Sequence, residues 1–136
     1  AVLSSGLPAQ PASLPDKLSY GGTDYEVRTF KSQYGWVCLD NTYVQRPGVP
    51  MDAHSAYLRS TLQSETDRTA SLRLGLDNWA IIYLNGQKIA TLDHAAEFKT
   101  ASIPITLKKG ANPLVIKTNN QKNRDVLIWA INCVVE

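Results

Sequence analysis

The stretch LGLDNWAIIYLNGQKIATL, residues 74–92, reads as three short runs broken twice by polar turn residues, Asp77-Asn78 and Asn85-Gly86. Such a pattern suits strands and turns, not a helix, whose apolar positions recur every three to four residues. The same grammar runs along the chain. It predicts strands at 25–31, 35–40, 56–63, 67–76, 79–84, 87–92, 102–107, 113–118 and 125–135. In 71–76, Leu72, Leu74 and Leu76 share one face, with Ser71, Arg73 and Gly75 on the other, as in a strand with one wet side. Residues 79–84 are apolar on both faces, as in a central strand covered on both sides or one whose second face lines a groove. Asn85-Gly86 suits a type I′ hairpin, because both residues tolerate positive φ. KKGAN at 108–112 reads as a second, longer hairpin turn. Pro104 and Pro113 lack an N–H and belong at strand starts, edges or bulges. About nine short strands and no internal repeat predict an all-β, two-sheet antiparallel sandwich.

At 136 residues, 43% hydrophobic and 19% charged, the chain suits one domain with one core. A net charge of +2 with no basic cluster argues against nucleic-acid binding. No apolar run is long enough to span a membrane as a helix. The opening AVLSSGLPAQPASLPDK is rich in Ala, Ser and Pro without period; residues 1–17 are expected to be a linker and 18–136 the sandwich. Cys38 and Cys133 lie in apolar runs and read either as two buried thiols or as one disulfide between an early strand and the last.

Four pieces carry a family resemblance: Ala56-Tyr57 at a strand start, Leu74-Gly75-Leu76-Asp77 at a strand end, Tyr83-Leu84-Asn85-Gly86, and the L-x-x-G-x-N-x-L-x-x-K run from Leu107 to Lys117. Over residues 56–120 the chain resembles the galactose-binding-like β-jelly-roll family of carbohydrate-binding modules attached to bacterial glycoside hydrolases and other secreted enzymes. The resemblance implies a jelly roll, a carbohydrate ligand, a parent catalytic domain in the same polypeptide, and an extracellular, periplasmic or cell-surface location. Asp77-Asn78-Trp79 departs from the acidic pair and glycine that such modules often carry at this corner.

Strand direction decides which loops can share a site. A strand of six residues is roughly 20 Å long, so Asp77 and Asn85, at opposite ends of 79–84, cannot touch one small ligand. Loops 41–55, 77–79, 93–101 and 119–124 are expected at one end, and 64–66, 85–86 and 108–112 at the other. The second end has short turns with backbone reasons for their residues. The first is long and polar, and loops on a rigid sandwich are where binding residues gather. Sugar recognition needs an aromatic face for pyranose C–H groups and paired donors and acceptors for hydroxyls. Asp77, Asn78, Trp79, Asn120 and Arg124 are therefore the first candidates, and Tyr43 and Arg46 the second. Against this, Trp79 can pack in the core, and Asp and Asn are ordinary turn formers. Trp36 and Trp129, inside apolar runs, are assigned to the core.

Nothing in the sequence signals catalysis. There is no Gly-x-Ser-x-Gly elbow, no His-Glu-x-x-His pair and no phosphate-binding glycine loop. No cofactor is expected, and a structural calcium ion has no supporting Asp-rich loop. The expectation is a noncatalytic carbohydrate-binding module of a larger secreted enzyme. Its alternatives are a structural module packed on its catalytic domain, recognisable by an exposed apolar patch on a sheet face, sought around Trp79, Ile81 and Tyr83, and a small hydrolase.

Overall fold

A computed structural model describes residues 17–20, 23–26, 31–39, 55–94, 97–119 and 129–136. These residues form ten strands: β1 (Lys17–Tyr20), β2 (Thr23–Glu26), β3 (Trp36–Cys38), β4 (Ser55–Ser64), β5 (Arg68–Leu76), β6 (Trp79–Leu84), β7 (Gln87–Asp93), β8 (Lys99–Leu107), β9 (Gly110–Asn119) and β10 (Ala130–Val135). β1 and β2 make a separate antiparallel pair, which the expected single strand at 25–31 did not anticipate. The expected linker falls outside the described residues apart from Lys17.

The other eight strands form two four-stranded antiparallel sheets, ordered β3-β10-β5-β8 and β4-β9-β6-β7. The all-β sandwich is thus present, built as the period-two pattern requires. Leu72, Leu74 and Leu76 of β5 are fully buried, as are Ala80 and Ile82 of β6. Each Leu or Ile so buried contributes roughly 1.5–3 kcal/mol. Trp129, Leu39 and Ile131 complete the core around the start of β10. In β6 and β9 the second face is also largely buried: Trp79, Tyr83, Val115, Lys117 and Asn119 are all buried, so the apolar patch expected around Trp79, Ile81 and Tyr83 is not exposed.

From β3 to β10 only the β6–β7 connection stays within one sheet. There Asn85 and Gly86 take φ of 50° and 82°, the double positive φ of a type I′ turn. KKGAN, expected as a hairpin, instead carries the chain from β8 in one sheet to β9 in the other. Turn residues look alike in both settings, and only sheet membership separates them. Gly110, at φ 98°, makes the bend, and the buried Asn112 holds it. Asn112 Nδ2 donates to the carbonyls of Lys108 and Gly110 (2.8 and 3.1 Å), while its Oδ1 accepts from Lys108 N and Asn85 Nδ2 (2.9 and 2.8 Å). Two pieces of the family-like pattern, Asn85-Gly86 and Gly110-Ala111-Asn112, therefore meet in space as one structural knot. Asp67 braces the same end, accepting from Lys109 N and Lys108 Nζ (2.8 and 3.1 Å). The backbone bond from Lys109, then the Lys108 side chain, holds its carboxyl below the usual carboxylate range.

No disulfide joins Cys38 and Cys133. Cys38 pairs in register with Ala130, three positions along β10 from Cys133, and the two thiols point to opposite faces: Cys38 is exposed, and Cys133 packs against the core. Neither the disulfide nor burial of both thiols is realised.

Candidate functional site

Strand register brings together the strand ends that border the polar stretches, although residues 40–54, 95–96 and 120–128 themselves lie outside the described residues. Ser55, Asn119, Trp79 and Asp93 form one row across β4, β9, β6 and β7, beside the ends of β5, β8 and β10. The Asp77-Asn78 turn is the inter-sheet corner at this end, with Asn78 at φ 66°, a conformation that asparagine adopts more readily than most residues.

The corner side chains are all buried, Trp79 on the second face of β6 and outside the core cluster. Asp77, Asn78 and Trp79 are 3%, 0% and 8% exposed. Asp77 Oδ1 accepts from Ala130 N at 3.1 Å, tying the corner to β10, and Oδ2 accepts from Asn78 Nδ2 at 3.0 Å. Thr118 Oγ1 donates to the Trp79 carbonyl at 2.8 Å and accepts from Trp129 Nε1 at 3.3 Å. His94 N donates to the Asn78 carbonyl, and His94 Nδ1 lies 3.0 Å from the Leu76 carbonyl. These contacts lock β5, β6, β7 and β10 together. One group is left over: Asn78 Oδ1 is buried without a hydrogen-bond partner among the described residues. Asn120, Arg124, Tyr43 and Arg46 lie outside the described residues.

A second arrangement borders the same end. Three large hydrophobic side chains are exposed among the described residues: Tyr34 at 83%, Trp36 at 50% and Phe98 at 44%. Trp36 was assigned to the core by its apolar run. Register corrects this: Val37 opposes Ile131 and packs inward, which turns Trp36 and Cys38 outward. Gln33 to Trp36 is a tight turn closed by Trp36 N donating to the Gln33 carbonyl at 3.0 Å, with Tyr34 and Gly35 at φ 53° and 75°. A bulky residue at positive φ is uncommon. Gly35 is required, since a Cβ there would run into the Cys133 carbonyl. Asn132 Nδ2 donates to the Tyr34 carbonyl at 3.1 Å and anchors the turn to the sheet.

Across the outer face of β3-β10-β5-β8, Trp36, Asn132, Gly75 and Thr100 stand in one row. Phe98, from the loop leading into β8, lies over Gly75 and stacks on Trp36, with ring centroids 5.6 Å apart and planes 21° from parallel. Offset stacking of this kind is the favourable geometry for two rings. Arg73, on this face of β5, and Lys99, which precedes Thr100 on β8, pair with Glu136 (3.3 Å) and Glu97 (2.8 Å). Lys99 holds the Glu97 carboxyl below its ordinary range. Sequence reading passed over Phe98, although it is the one aromatic residue in the polar stretch between Asp93 and Ser102. No group of three or more His, Cys, Asp or Glu side chains among the described residues could hold a metal ion, and no helix there is long and apolar enough to cross a membrane.

No protein-family model and no curated protein matches this sequence. Solved structures do. A β-glucosidase from Kluyveromyces marxianus superposes with a TM-score of 0.58 and 17% identity over 75% of this chain, which spans only 13% of that enzyme. That likeness shows a shared fold. The chain is also similar to a family 35 carbohydrate-binding module from an environmental isolate (TM-score 0.44, 20% identity, 59% of this chain and 66% of that one). A third similar structure is the GH26-CBM35 β-(1,4)-mannanase of Podospora anserina (TM-score 0.47, 15% identity, 75% and 25%).

Proposed function

We propose that this chain is a noncatalytic carbohydrate-binding module serving a larger secreted enzyme, and that it holds its saccharide on the exposed aromatic face of Trp36 and Phe98. The observation that carries the reading is that pair: two stacked rings, half in water, fixed on a four-stranded sheet with Thr100 and Asn132 in the same row. A stable monomer has little reason to leave such rings in water, and they match the apolar face of a pyranose, while the hydroxyl and amide meet its OH groups. The family-like motifs and the occurrence of the fold within a β-glucosidase chain support the same reading. A weak module tethered to a catalyst works by raising the local substrate concentration, without chemistry of its own.

The loop end built on Asp77, Asn78 and Trp79, with Asn120, Arg124, Tyr43 and Arg46 as ligand contacts, is a second reading, favoured by the buried acceptor Asn78 Oδ1. The test is a glycan-array and calorimetric screen of the chain, neutral and acidic sugars together, repeated with Trp36→Ala. A hit lost in that variant supports the aromatic face, and a hit retained there moves the site to the loop end. A blank across a broad panel with the chain folded overturns both and assigns the aromatic face to packing on a parent catalytic domain.

A further inference from the structure

Resting on the carbohydrate reading, the geometry points to a ligand class: we infer that this face takes the uncharged interior of an extended polysaccharide, not a uronic acid and not a chain end. Two observations carry this, the layout of the row and its charge.

The row Trp36–Asn132–Gly75–Thr100 crosses all four strands of the sheet, three inter-strand gaps of about 4.8 Å each, or roughly 14 Å. Several linked pyranose rings span such a length. A chain end is selected by a pocket that encloses it, whereas this row lies along the outward positions of a pleated sheet. Trp36 stands at the β3 side, Phe98 lies over Gly75 in the middle, and Thr100 and Ser102 supply hydroxyls at the β8 side. Between Trp36 and Gly75, Asn132 gives its Nδ2 to the Tyr34 carbonyl, while its Oδ1 makes no hydrogen bond among the described residues and is available as an acceptor. Gly75 keeps the middle of the row low, so that Phe98 can lie down across it.

Charge supplies the second constraint. Recognition of a carboxylate sugar relies on a cation able to form a charge-assisted pair. Among the described residues, Arg73 stands on this face of β5 and Lys99 precedes Thr100 at the start of β8, in register with the core-facing Leu76; each is already matched by a carboxylate, Glu136 and Glu97. A uronate would have to displace one of these partners and would meet its like charge. A neutral chain meets no such repulsion.

Native affinity electrophoresis of the full chain tests this, with hydroxyethylcellulose, galactomannan and polygalacturonate in the gels and neutral di- and hexasaccharides as competitors. Circular dichroism checks the folding of Trp36→Ala and Phe98→Ala. The expected result is retardation by a neutral polymer, weakened at least tenfold in both variants, with none by polygalacturonate and with the hexasaccharide competing at least tenfold better than the disaccharide. Retardation by polygalacturonate that Trp36→Ala abolishes overturns the neutral-ligand inference but keeps the carbohydrate reading. Equal competition by the disaccharide overturns the chain-interior assignment alone. Retardation untouched by either variant removes the ligand from this face. No retardation by any of the three polymers, with the glycan screen also blank, overturns inference and function together.

Discussion

Phe98 lies across Gly75: a Cβ placed on that glycine would come within 2.7 Å of Phe98 Cζ. The two belong to different elements, and the contact brings Phe98 to the ring of Trp36. Gly75→Ala should therefore act on the aromatic face and not on the core. The intruding atom is the far end of an exposed side chain, which can swing away, so the change in stability should stay within about 0.5 kcal/mol. Polymer retardation should nonetheless fall toward that of Phe98→Ala. Urea melts with affinity gels check both, and a large loss of stability would show that Phe98 is fixed by more than this contact.

Trp79 gives the opposite signature. At 8% exposure it is a packing residue in this structure, and Trp79→Ala should cost roughly 3–5 kcal/mol. Chemical denaturation measures this. Near-native stability combined with lost sugar binding would instead restore Trp79 as a ligand contact at the loop end.

Asp77→Ala removes the acceptor for Ala130 N and for Asn78 Nδ2, two donors at a buried corner. Leaving them unsatisfied should cost about 2–4 kcal/mol. Hydrogen exchange should localise the loosening to the start of β10. At the other end Asn112→Ala should cost a similar amount, about 2–4 kcal/mol, by freeing the Lys108 and Gly110 carbonyls, and denaturant midpoints check it.

Of the three tryptophans, Trp36 is half exposed, while Trp79 and Trp129 are buried. Iodide should quench one emitting population of three in the native chain, and a bound neutral polymer should protect it. Quenching that the polymer leaves unchanged would place the ligand elsewhere.

The cysteines should react unequally. Burial pushes the Cys133 thiol up to about 11 from an ordinary value of 9.0. With iodoacetamide at pH 8.5, Cys38 should react at least tenfold faster than Cys133, and both should react once the chain is denatured. The sign for stability follows. In the unfolded chain Cys133 ionises first, so its contribution favours folding below pH 9 and is lost as pH rises from about 9 to 11. Lys117 opposes this trend. Desolvation lowers its ammonium pKa, so its burial penalty is relieved as pH rises through the lowered value. Alkaline denaturation midpoints of Cys133→Ala and Lys117→Met, compared with the parent chain, should move in opposite directions.

Local sequence determined the strands from β3 to β10, to within a few residues at their ends, the face that β5 and β6 turn to the core, and the Asn85-Gly86 hairpin. Period-two burial and positive φ are properties of neighbouring residues, and Leu72, Leu74 and Leu76 show them without outside help. Strand alternation also brought the strand ends that border the polar stretches to one side. What only the tertiary structure decided is how the strands divide between sheets and what lies opposite them. Sheet membership made KKGAN a crossing and not a hairpin, the β3–β10 register turned Trp36 outward and kept Cys38 from Cys133, and the Asp77 corner was drawn inward by a backbone N–H fifty-three residues away. Phe98 meets Trp36 across sixty-two residues of sequence. Pairing between distant strands is set by the free energy of the whole core, which no window of sequence contains.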